Sequence, residues 1–116
     1  MFSNTNVFGQ GHSKLNIYGE SCKYWLVTPA IDLSNLADPA LFFDLALTAY
    51  NSSNPISSSS AQQDDKFMVM VSTDNGATWS ADNATVWSND NTGDYVYNQI
   101  PATGENVLIP LTDYAN

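Results

Sequence analysis

The apolar residues of this chain fall in short runs, several alternating with polar residues at period two, and no segment of helical period dominates. Clusters of Gly, Pro, Asn, Asp and Ser separate the runs at the intervals found in sandwiches and barrels, so the pattern predicts an all-β domain. The clearest strand sets Phe67, Val69 and Val71 against Lys66, Met68 and Met70, and leads into Asp74-Asn75-Gly76, a tight turn in which Gly takes positive φ without steric cost. Leu15 and Ile17 alternate in Lys14-Leu15-Asn16-Ile17-Tyr18. Gly19, Glu20 and Ser21 then turn the chain into Tyr24-Trp25-Leu26-Val27-Thr28, which Pro29 closes. Thr85-Val86-Trp87, Tyr95-Val96-Tyr97 and Val107-Leu108-Ile109 supply further strands, separated by residues 89–93 and 101–104.

Residues 40–50 admit two readings. Asp38 as N-cap and Pro39 at the first helical position would start a helix. Against this, Leu41, Phe43, Leu45, Leu47 and Ala49 share one face at period two while Asp44, Thr48 and Tyr50 share the other, and strand is the favoured reading. Residues 52–63, with the serine run 57–60, form a polar loop with no packing pattern.

At 116 residues there is room for one core. The expected organisation is a flexible N-terminal stretch, 1–12, followed by one domain, 13–116. Three lysines, no arginine and twelve acids leave a formal net charge of -9. Such a surface repels polyanions, which argues against a nucleic-acid partner and against anionic lipid. No apolar stretch is long enough to insert in a membrane as a helix. The first residues lack the basic and apolar regions of a signal peptide, so a secretion signal is expected outside this segment, and the chain reads as a piece of a larger protein. Cys22 is the single cysteine, which excludes an intramolecular disulfide, and it reads as a small apolar residue rather than a reactive thiol.

The most specific local pattern is Ser72-Thr73-Asp74-Asn75-Gly76-Ala77-Thr78-Trp79, the Ser-x-Asp-x-Gly-x-Thr-Trp form of an Asp-box. Its mechanics are structural: Asp74 accepts bonds from amides across the turn, Gly76 takes the left-handed position and Trp79 packs beneath the hairpin. Sialidase propellers carry several such boxes and an arginine cluster. One box without arginine argues against that activity.

The order Tyr24-Trp25-Leu26-Val27-Thr28-Pro29-Ala30-Ile31-Asp32-Leu33, then a strand with Leu41-Phe42-Phe43, then Asp65 to Val71 and the box at 72–79, resembles the cleaved-adhesin or choice-of-anchor modules of Bacteroidetes-type bacteria, such as the adhesin domains of gingipain and haemagglutinin proteins. The likeness spans Leu15 to Tyr114 and rests on the two motifs together, since either alone would be weak. It implies an antiparallel jelly-roll β-sandwich, often calcium-stabilised, that is carried by secreted or cell-surface proteins and binds without catalysing. The family pattern continues past Leu111-Thr112-Asp113-Tyr114 into another core strand, so a C-terminal strand is expected to be missing here. An unpaired edge would then favour a homo-oligomer or strand exchange.

Asp64 and Asp65 at a loop-to-strand junction, with Glu20 in another loop, offer the hard oxygen ligands that calcium prefers. Paired acids before a strand are more often a solvated turn, and it is the resemblance that raises calcium to an equal alternative. The segment Asp90-Asn91-Thr92-Gly93-Asp94 lacks the remaining ligands of an EF-hand loop. An enzyme would need a nucleophile with its base, a tuned acid pair or a catalytic metal, and His12, the single histidine, has no identifiable partner. Trp87, Tyr95 and Tyr97 flank an amide-rich loop and could present a flat apolar face with a polar rim to a sugar, although a core role for Trp87 is the commoner outcome. The expected function is non-catalytic binding of a host protein or glycan. A carbohydrate-binding module attached to a secreted hydrolase is the alternative.

Overall fold

The computed structural model describes residues 2–3, 12–16, 23–56, 65–88 and 96–115. Its elements are strands β1 (Phe2–Ser3), β2 (His12–Ser13), β3 (Ala40–Leu45), β4 (Lys66–Val69), β5 (Thr85–Ser88) and β6 (Glu105–Pro110), with helix α1 (Val96–Gln99) before β6 and a 3-10 turn (Thr112–Tyr114) after it. Among the described residues the strands pair antiparallel in three two-stranded sheets, β1 with β2, β3 with β6 and β4 with β5. The architecture is all-β. β1–β2 pairs Ser3 with His12 and Phe2 with Ser13, so backbone pairing crosses the boundary expected at residue 12.

Strand β3 forms over the first half of the ambiguous segment because its alternation finds a partner. In the β3–β6 register Leu41 faces Ile109, Phe43 faces Val107 and Leu45 faces Glu105 on the inner side, while Phe42 faces Leu108 and Asp44 faces Asn106 on the outer side. The burial alternates accordingly, with Val107 buried and Phe42, Asp44, Asn106 and Leu108 exposed. A helix started at Asp38 and Pro39 would scatter the inner residues around its axis, whereas the strand gathers them on one face. Pro39, which has no N–H to donate, stands just before β3 and accepts a bond from the Leu111 amide (2.7 Å).

In β4–β5, Phe67 lies opposite Trp87, with Met68 and Val86 on the other face. The two sheets meet through three rings from three strands. Phe43 lies 6.2 Å from Phe67 and 6.4 Å from Trp87, both edge-on, and Phe67 lies 5.3 Å from Trp87. Edge-to-face contacts at these separations each add about 0.5–1.5 kcal/mol beyond the area they bury.

Three expected strands, 14–18, 24–28 and 95–97, do not form where those segments are described. Val96 lies in α1, and the reason is a spacing of four: Val96 and Ile100 are both buried, and the Ile100 amide bonds the Val96 carbonyl at 3.0 Å. One helical turn puts both aliphatic groups in the core, whereas a strand would have served Tyr95 and Tyr97 and left Val96 facing away. The Gln99 amide fastens the turn to β5 by donating to the Ser88 carbonyl at 2.6 Å. Residues 24–28 form no strand either, because β-propensity expresses a fit to a neighbouring strand, and no ladder partner stands beside them among the described residues. Residues 14–16 likewise belong to no strand. The expected turn at 101–104 is present, closed by the bond from the Gly104 amide to the Pro101 carbonyl (3.1 Å).

Candidate functional site

The loop joining β4 to β5 carries the Asp-box, and its geometry follows from the residue types. Asn75 and Gly76 have φ of 58° and 82°, and the Ala77 amide bonds the Asp74 carbonyl at 3.3 Å. Two consecutive residues at positive φ inside an i to i+3 bond mark a type I′ turn, which Asn-Gly suits. Inside the turn, Asp74 Oδ1 accepts from Ser72 Oγ (2.6 Å) and the Thr78 amide (2.9 Å), while Oδ2 accepts from Thr78 Oγ1 (2.5 Å). Ser72 Oγ in turn accepts from the Gly76 amide (2.9 Å). The Ser72 hydroxyl, then the Thr78 hydroxyl and amide, hold the Asp74 carboxyl down to about 2 from its usual 3.8. Both oxygens serve the turn itself, which is structural work.

The box also fixes an aromatic ring. Trp79 Nε1 donates to the Gly76 carbonyl (3.2 Å), and its six-membered ring sits against Gly76, where an added Cβ would stand 3.7 Å from Cζ2. Trp79 meets Trp25 at a centroid separation of 6.0 Å with planes inclined by 60°. Trp25 remains 58% exposed and Trp79 38%, and Tyr24, Leu26, Val27 and Ile31 beside Trp25 are more than half exposed. An apolar strip therefore lies next to a rigid polar turn. Contiguous exposed apolar surface of this kind marks interaction sites on soluble proteins. Asp32, beyond the strip, is also engaged, since the Ser34 hydroxyl (2.7 Å) and amide (3.0 Å) lower its pKa.

The other expected site residues are placed as follows. Trp87 is half-buried in the ring cluster with Phe43 and Phe67, the core role weighed against ligand binding. Tyr97 lies in α1 and Tyr95 outside the described residues. Asp65 is half-buried just before β4, while Asp64, Glu20, Cys22 and the segment 90–94 lie outside the described residues. Among the described residues no three acids, histidines or cysteines gather as a metal-binding group. An open hollow of about 250 Å³ is lined by Asp44, Thr103, Gly104, Glu105 and Asn106 where the 101–104 turn enters β6. No aliphatic or aromatic side chain is among these lining residues to retain a ligand.

The Trp25–Trp79 pair was missed by sequence reasoning. The two residues belong to separate motifs far apart in the chain, and no periodicity links them. The available signal was the unusual weight of large apolar residues in Tyr24-Trp25-Leu26-Val27, which no alternation assigned to one face. Comparisons with protein families, with curated proteins and with solved structures found no match to this chain.

Proposed function

We propose that this chain is a non-catalytic, adhesin-like binding module of a secreted or cell-surface bacterial protein, built as a jelly-roll sandwich and recognising host proteins or surface ligands. The observation that carries the binding role is the exposed apolar strip from Tyr24 to Val27, joined by Trp79 to the Asp-box turn. Such a strip is costly to leave in water unless something covers it in use. The jelly-roll reading is supported by nested pairing. The β4–β5 hairpin lies inside the β3–β6 pair along the chain, and the two pairs touch through aromatic rings. A long hairpin rolled into two facing sheets pairs its strands in this order. Asp74 itself is not a candidate acid or base, since its two oxygens are bonded within their own turn.

The test is binding of the full chain to immobilised fibronectin and haemoglobin, scored for wild type and for a Leu26→Ser/Val27→Ser variant. Saturable binding that falls with the variant supports the module, and hydrolysis of peptide or glycoside substrates by the pure chain overturns its non-catalytic character. A carbohydrate-binding module is the second reading, favoured by the exposed indole of Trp25. Calcium held by Asp65 with Asp64 and Glu20 belongs to the same proposal through the family resemblance. A ligand that binds only the folded state must raise the melting temperature, so an unchanged melt at saturating calcium against chelator removes the metal.

A further inference from the structure

We propose that the solvent-facing side of Trp25, backed by Trp79, is a stacking platform for an uncharged pyranose ring of a surface glycan. This rests on the binding-module reading and names its ligand class.

Three observations lead there. The first is fixation: the Asp74 carboxylate and Ser72 hydroxyl hold the turn, the turn holds Gly76, and the Gly76 carbonyl holds the Trp79 indole N–H. Trp25 leans on that fixed ring at 6.0 Å. A ring set in place before binding loses little conformational freedom when a ligand arrives. The second is spacing. Rings 6.0 Å apart and inclined by 60° touch each other and leave no slot for a guest between them. A ligand must therefore lie on the open side of Trp25, as a flat face with axial C–H groups does, while its hydroxyls reach the rim. Candidate rim groups lie in the loop that carries Trp79, where the side chains of Thr73 and Asn75 are exposed. The third is charge. With no arginine, three lysines and a net charge of -9, the chain repels a uronic or sialic acid and leaves neutral sugars as the matching class.

A β-strand from another protein is the competing occupant of this strip. Pro29, which has no N–H, would cut short a ladder on residues 24–28, and the Asp-box turn beside Trp79 offers no strand edge.

The experiment titrates the full chain with neutral cello-, malto-, laminari-, manno- and N-acetylchito-hexaose, and with oligogalacturonate as the anionic control, by calorimetry and tryptophan fluorescence. At least one neutral oligosaccharide should bind saturably, with oligogalacturonate silent. Trp25→Ala should lower that affinity about tenfold or more, as expected for loss of an aromatic face, and Trp25→Phe should restore part of it. Trp25→Ala should still unfold cooperatively, with a melting temperature lowered by no more than about 5 °C for loss of the one ring contact with Trp79, because the ring is more than half exposed. Absence of binding across the neutral panel overturns the proposal, as does binding indifferent to Trp25→Ala. Fibronectin or haemoglobin binding that persists while every sugar fails overturns this inference alone, whereas failure of both classes removes the module reading as well.

Discussion

At Asp74 the physics of a single side chain organises a whole loop. Its two oxygens take three hydrogen bonds, from Ser72 Oγ, the Thr78 amide and Thr78 Oγ1, and each is stronger to a carboxylate than to a carboxylic acid. The folded pKa is therefore depressed, and the stabilisation it represents is present above the usual 3.8 and lost as pH falls through about 2. Asp74→Asn, which keeps the shape and removes the charge, should lower the melting temperature at neutral pH. Across that acid window it should lose less stability than wild type, and a series of melts at stepped pH measures the difference. Gly76→Ala should cost about 1–2 kcal/mol by urea denaturation, the price of a left-handed β-carbon. The space beside Gly76 admits the methyl, as its nearest neighbour would stand 3.7 Å away, so the cost resides in the backbone at φ 82°. This residue-scale chemistry was legible in the sequence, because Ser-x-Asp-x-Gly-x-Thr-Trp encodes contacts that are local and need no knowledge of the rest of the fold.

Between elements, legibility depended on whether a pattern had its partner within reach. The strand expected over 40–50 forms only to Leu45 and the one expected over 66–71 only to Val69, while the expected runs 85–87 and 107–109 lie within β5 and β6. The spacing of Val96 and Ile100 was overlooked because two tyrosines beside them offered a competing period of two. Nothing in the sequence placed Phe43 against both Phe67 and Trp87, since that contact depends on how two sheets face each other. It is testable through adjacent residues of one strand. Phe43 points inward to the ring cluster and Phe42 outward to solvent, so Phe43→Ala should destabilise by about 3 kcal/mol. Phe42→Ala should cost under about 1 kcal/mol. Urea midpoints report both, and loss of the near-ultraviolet signal of Trp87 should accompany the first variant alone.

For the whole molecule, the same alternation that builds the inner face leaves a consequence outside. On the outer side of β3–β6, Phe42 and Leu108 stand directly opposite each other at 68% and 53% exposure, flanked by the hydrogen-bonded pair Asp44 and Asn106. The all-β class was readable from the spacing of short runs, but this face was not, because a sequence pattern names which residues share a side and not what covers that side. Two copies could bury the Phe42–Leu108 pair against each other, opposed by the repulsion between chains of net charge -9. Apolar burial contributes about 25 cal/mol per Å² and is not screened as charge interactions are, while the repulsion between exposed charges fades once the screening length falls to about 10 Å near 0.1 M salt. Self-association should therefore grow as salt is raised through that range, the reverse of an interface held by ion pairs. Phe42→Thr/Leu108→Thr keeps β-propensity and removes most of the apolar area, so it should abolish the association and cost only about 1 kcal/mol of cross-strand packing. Sedimentation equilibrium at low and high salt measures this, and a wild-type chain that stays monomeric at millimolar concentration in high salt would show that the outer face does not pair with itself.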